Sequence, residues 1–204
     1  LYFIGWYEAQ LELIESLTAG RLGSRSPEKI GAEERTVLIM TQGHITRKLG
    51  RVDDALKHFG EVRRIAEKEK LHQQIYAADV EIAVTLGFRG SFIKVIETMP
   101  PNPLSTETYY DTPRLEWLGV AKGMIGQVED GIYHLKEAEE MARERGDNRH
   151  LPPILTHYGD ILLLSGQVAE ATEKYKEAAY ISSQNKYLDY EGDALRGLGD
   201  TLLL

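Results

Sequence analysis

Along residues 152–180, PPILTHYGDILLLSGQVAEATEKYKEAAY, apolar side chains return every three or four positions in two runs separated at Ser165–Gly166. That period belongs to an amphipathic helix, so the stretch predicts two helices joined by a tight turn. The first run puts Leu155, Tyr158, Gly159 and Leu162 on one face. The second puts Ala171, Tyr175 and Ala178 on one face and turns Glu170, Glu173, Lys174, Lys176 and Glu177 mostly to solvent.

The same unit recurs along the chain. Turn glycines stand at Gly50, Gly90, Gly126 and Gly166, in steps of 40, 36 and 40. Seven residues before each is a small residue: Gly43, Ala83, Gly119 and Gly159. A further step of 40 lands on Gly199, where RGLGDTLLL echoes THYGDILLL. Five residues after each turn come Ala55, Val95, Gly131 and Ala171, and four further on Phe59, Met99, Leu135 and Tyr175. A glycine inside a helix costs roughly 1 kcal/mol relative to alanine. Close helix crossing is the compensation this spacing predicts, with Phe59 or Tyr175 filling the space beside the small residue.

These residues resemble the tetratricopeptide repeat. Leu118–Gly119, Tyr158–Gly159 and Leu198–Gly199 match its large-small pair in the first helix (helix A). Ala55 with Phe59, and Ala171, Tyr175 and Ala178, match the alanine, aromatic and alanine of its second helix (helix B). The family period is 34, and longer versions occur in MalT-like and other bacterial signalling arrays and in kinesin-light-chain-like scaffolds. The segment ERGDNRHLPPILTHYGDILLLSGQ resembles the bacterial kind. The resemblance implies an all-α, right-handed superhelical solenoid of antiparallel helix hairpins.

In chain order, residues 1–31 are expected to hold the end of a preceding hairpin and a linker. Ser26–Pro27–Glu28 forms a helix start there. Repeats follow over 32–204, at about 36–70, 71–112, 113–148, 152–184 and, in part, 187–204. Residues 100–112, PPNPLSTETYYDT, interrupt the pattern, because three prolines in four residues exclude a helix. The sequence opens inside a hairpin pattern and closes inside another, which predicts a piece of a longer protein with apolar terminal faces able to self-associate.

Charge narrows the partners. The chain has 204 residues with 24 Lys and Arg against 32 Asp and Glu, a formal net charge of -8. Nucleic acid is therefore not expected as a partner. The chain has no cysteine, which removes disulfides and thiolate metal sites. It also has no apolar run of membrane-spanning length, so no membrane partner and a cytoplasmic location are expected.

No catalytic motif is present. Gly119, Lys122, Gly123 and Gly126 lack the spacing of a phosphate loop, and Gly197–Leu198–Gly199 lacks a preceding strand. No enzyme activity, cofactor or metal is expected. His150 and His157 lie seven apart with Pro152–Pro153 between them, a poor ligand pair. The tetratricopeptide resemblance implies a concave groove lined by helix A. Counted from the repeat phase, the lining is Met40, His44, Arg47, Val80, Val84, Glu116, Trp117, Val120, Thr156, Asp160, Leu163, Arg196 and Asp200. The expected function is a non-catalytic scaffold binding a peptide or protein segment that carries basic residues. The alternative is a ligand-sensing module of a bacterial transcriptional regulator or signalling ATPase. Trp117 suits an anchor and inter-hairpin packing equally, whereas Tyr109–Tyr110 favour packing of the loop onto the repeats.

Overall fold

The computed structural model describes residues 2–18, 30–101 and 108–203. The Ser26–Pro27–Glu28 start, Pro103 and the rest of 102–107, the side chain of Leu17, and Leu204 lie outside the described residues. Among the described residues the chain is helical, without strand: α1 (Tyr2–Thr18), α2 (Ala32–Lys48), α3 (Val52–Glu69), α4 (His72–Phe88), α5 (Phe92–Thr98), α6 (Asp111–Met124), α7 (Val128–Glu144), α8 (Leu151–Leu164), α9 (Val168–Asn185) and α10 (Leu188–Thr201). The helices form two compact units, α1–α4 and α5–α10. Within each, consecutive helices pack on one another, and the hairpins α2–α3, α6–α7 and α8–α9 are the most extensive pairs.

Second helices bury one invariant set of offsets. In α3 these are Ala55, Phe59, Val62 and Ala66; in α7, Gly131, Leu135, Ala138 and Ala142; in α9, Ala171, Tyr175, Ala178 and Ser182. Steps of four, three and four keep those side chains on one stripe of an α-helix. The largest, Phe59, Leu135 and Tyr175, are completely buried. Each rests where the facing helix has a glycine. A β-carbon on Gly43 would lie 2.5 Å from the Phe59 ring, and one on Gly119 2.6 Å from Leu135 Cγ. One on Gly159 would lie 2.6 Å from the Tyr175 ring. The α9 ring has a second glycine above it: Gly197 of α10, where a β-carbon would also overlap the ring. Gly199, the residue selected by the step of 40, faces open space.

The turn glycines Gly50, Gly90, Gly126 and Gly166 have φ of 75, 76, 90 and 81°. A side chain is disfavoured at such values, which explains the period. Behind three of them the chain closes the helix with a long backbone bond: Arg51 N–H to Thr46 O, Gln127 N–H to Lys122 O and Gln167 N–H to Leu162 O, 2.9–3.0 Å. α5 stops at Thr98 before Pro100–Pro101. Pro113 and Pro152–Pro153 sit in the first turns of α6 and α8, where the missing N–H costs no helical bond.

Candidate functional site

In the first unit, the helix-A residues converge on Glu81 of α4, which is almost wholly buried. Arg47 Nη1 of α2 donates to Glu81 Oε2 at 2.6 Å and to Thr85 Oγ1 at 3.1 Å. His44 Nε2 stands 3.3 Å from the other carboxylate oxygen. Burial pushes the Glu81 carboxyl up, but His44 and Arg47 outweigh it and hold it at about 2. The Arg47 guanidinium also lies over Phe59 and Phe88, 5.5 and 5.4 Å from the ring centroids. His44 and Arg47, both expected in the groove lining, thus lie against Glu81 while remaining partly exposed.

The second unit repeats the device with other residues. Glu116 of α6 is buried, and its Oε1 lies 2.8 Å from His157 Nδ1 of α8. Burial works against a charged imidazole there. The Glu116 hydrogen bond and charge, followed by the charges of Asp160 and Asp193, overcome it and raise His157 above its ordinary value. Trp117 packs edge-on to the His157 ring at 5.3 Å. Asp160 accepts a 2.7 Å hydrogen bond from the Tyr175 hydroxyl, and Arg196 donates to Asp200 across one turn of α10 at 3.2 Å.

The residues expected to line a groove differ in exposure. Val80, Val84, Glu116, Trp117, Val120 and Thr156 are buried. A first helix such as α8 is flanked by α6, α7, α9 and α10, so only a narrow strip of its surface reaches solvent. Trp117 is 7% exposed. Met40, His44, Arg47, Asp160 and Leu163 are partly exposed, and Arg196 and Asp200 are exposed. The periodicity also passed over His157, Asp193 and Tyr190. His157 is 27% exposed at its side chain and Asp193 is open to solvent, and both belong with Asp160. Burial, followed by the charge of Glu116, raises the Tyr190 hydroxyl.

Tyr109, just before α6, meets His150, just before α8. Its hydroxyl is 3.1 Å from His150 Nε2, and the rings meet edge-on at 5.1 Å, while His150 Nδ1 lies 2.6 Å from Asp147 Oδ2. The loop end packs onto the repeats while 56% of Tyr109 stays exposed. His150 and His157 have separate carboxylate partners, and no three acidic or histidine side chains among the described residues are arranged to hold a metal ion. No described helix is long and apolar enough to cross a membrane.

No protein-family model matches the chain, and no curated protein does. Solved structures do. Nearly identical TPR-like repeats from a Podosopora anserina protein described as a kinesin light chain are 18% identical to this chain in a point variant, with 90% of each chain covered and a TM-score of 0.56. A second structure of those repeats is 18% identical over 89% of each chain, with a TM-score of 0.54. At this identity the likeness is one of fold, and the fold of this chain is the tetratricopeptide-like helical repeat.

Proposed function

We propose that the chain is a non-catalytic interaction module whose second unit holds a basic peptide or helix against the first-helix strip around His157. Folds of this type commonly mediate protein–protein interaction. The observation that carries the reading is electrostatic: Glu116, Asp160 and Asp193 all act on one imidazole, leaving an acidic surplus beside it. Asp193 is exposed and Asp160 partly so, and the partly exposed Tyr190 stands three residues before Asp193 on α10. A lysine or arginine of a partner can pair with the carboxylates while its stem lies on that ring. In the first unit the buried carboxylate Glu81 is already held by Arg47, with His44 beside it.

The test is a helical-peptide array whose members differ only in Lys or Gln at the anchor, probed with the wild-type chain and with an Asp160→Asn, Asp193→Asn double variant. Asparagine keeps an acceptor for the Tyr175 hydroxyl, so folding is preserved. The Lys peptides should bind wild type about tenfold more tightly than the variant, a difference of about 1.4 kcal/mol, and should lose affinity as salt rises. Equal binding of Lys and Gln peptides to both proteins would refute the reading.

A further inference from the structure

We infer that Tyr109 is a site of covalent modification: an activated phenol that takes the acyl group of a small activated ester, with His150 as its base and Asp147 as the positioning residue. The geometry starts at the turn between α7 and α8. Gly146, at a φ of 62°, carries the chain out of α7. Asp147 then folds back on the residues after it. Its Oδ1 accepts the backbone N–H groups of Arg149 and His150 at 3.2 and 3.1 Å, and its Oδ2 lies 2.6 Å from His150 Nδ1. Burial pushes the Asp147 carboxyl up, but the side-chain and backbone bonds from His150 outweigh it and hold it below its ordinary value. A carboxylate only accepts, so Nδ1 carries the proton and Nε2 of the neutral ring presents a lone pair. The Tyr109 hydroxyl stands 3.1 Å from Nε2 and donates to it. Arg145 Nη1 donates to Thr108 O at 3.0 Å, which holds the backbone just before Tyr109.

A hydroxyl within hydrogen-bond reach of a base, with a third group orienting that base, is the arrangement that makes an oxygen nucleophilic. The phenol oxygen attacks the ester carbonyl carbon while its proton passes to His150 Nε2, and the Asp147 carboxylate stabilises the imidazolium. The tetrahedral adduct collapses, the bond to the leaving oxygen breaks, and the leaving group departs as its anion. His150 then returns the proton to solvent. The product is the acyl ester of Tyr109, which has lost the proton it donated to His150. Two other tyrosines of the same unit calibrate the effect. Tyr133 and Tyr180 are 59% and 67% exposed, against 56% for Tyr109. Tyr133 donates instead to Glu137 at 2.9 Å, and that bond, followed by the Glu137 charge, raises its hydroxyl. Accessibility therefore ranks Tyr109 last of the three, and the imidazole ranks it first.

The probe is p-nitrophenyl acetate, added to the 204-residue chain at mildly alkaline pH, with acetylation of each tyrosine followed by peptide mass mapping. Tyr109 should acetylate faster than Tyr133 and Tyr180. His150→Phe keeps an aromatic ring beside Tyr109 and removes the base. Asp147→Asn keeps an acceptor for the backbone N–H groups and removes the charge. Each should slow Tyr109 by about tenfold or more, the usual reach of a general base, and leave Tyr133 and Tyr180 unchanged. Those two rates, with circular dichroism, separate loss of the base from loss of the fold. The Asp160→Asn, Asp193→Asn variant should acetylate Tyr109 as wild type does, which keeps this site distinct from the acidic strip. Acetylation of Tyr109 no faster than of Tyr180 overturns the inference, as does a Tyr109 rate that His150→Phe and Asp147→Asn leave unchanged. If acid quenching traps the acetyl group on His150 of the wild-type chain instead, the imidazole is the nucleophile and the assignment to Tyr109 fails.

Discussion

Replacing Gly159 by alanine tests whether the hairpins are held by ring-on-glycine contact. By helix propensity alone the change stabilises, since Gly in a helix interior lies about 1 kcal/mol below Ala. The structure opposes that gain. The new β-carbon would stand 2.6 Å from Tyr175 Cε1, well inside ordinary contact distance. The ring has little room to retreat: it is completely buried, its hydroxyl is tied to Asp160 at 2.7 Å, and Gly197 lies against it from α10. Overpacking of this kind costs about 1–3 kcal/mol. The net expectation is a loss of about 0–2 kcal/mol once propensity is credited. Gly192→Ala is the internal control, because it has the same propensity gain in the same unit and nothing within 4 Å of its β-carbon. The two variants should separate by the overpacking cost alone, which at about 2–4 °C per kcal/mol for a chain of this size is readable in a thermal melt. Gly159→Ala should melt below wild type or level with it, and Gly192→Ala above. If both variants rose equally, the ring-on-glycine account of the repeat would be wrong.

Three further predictions concern the buried carboxylates. Arg47→Ala should cost about 3–5 kcal/mol in denaturant unfolding, because it strands Glu81 in the interior. The pH profile has a definite sign: the folded-state value of Glu81 is depressed from 4.5 to about 2, so its contribution is full above pH 4.5 and fades as pH falls towards 2. Glu81→Gln should remove that acid limb, and an unchanged limb would show that the pair does not form. At His157 the sign reverses. Its folded-state value is raised, so its contribution is present at acid pH and is lost as pH climbs through the raised value. Glu116→Gln leaves burial as the leading influence, so the NMR titration midpoint of His157 should drop; a midpoint that stays put would remove Glu116 as the cause.

The fold was legible because its punctuation is local. A positive φ at Gly50 or Gly166 admits few residues but glycine, and the buried offsets of α3, α7 and α9 follow directly from the helical period. The site was less legible because exposure on a first helix is set by its neighbours. Val80 and Val120 have the right phase to face outward and are buried all the same. Pairing is similarly hidden: Arg47 and Glu81 are 34 residues apart, and Glu116 and His157 are 41 apart, so neither pair follows a single repeat step. The step of 40 found Gly199 but not Gly197, since that step aligns equivalent positions. Gly197 meets Tyr175 from the following helix, which is a different contact.

One ring, that of Tyr175, is shared by two successive first helices, with Gly159 beneath it and Gly197 above. A shared ring makes the order of assembly directional. α10 has no seat until α9 has settled on α8, whereas the hairpin of α8 and α9 can close without α10. Local opening should therefore run in the reverse order: α10 lifts first, and amides along it exchange with solvent through a smaller excursion than those of α8. A nearest-neighbour term in the stability of the array then has a physical location, the two faces of a single phenol.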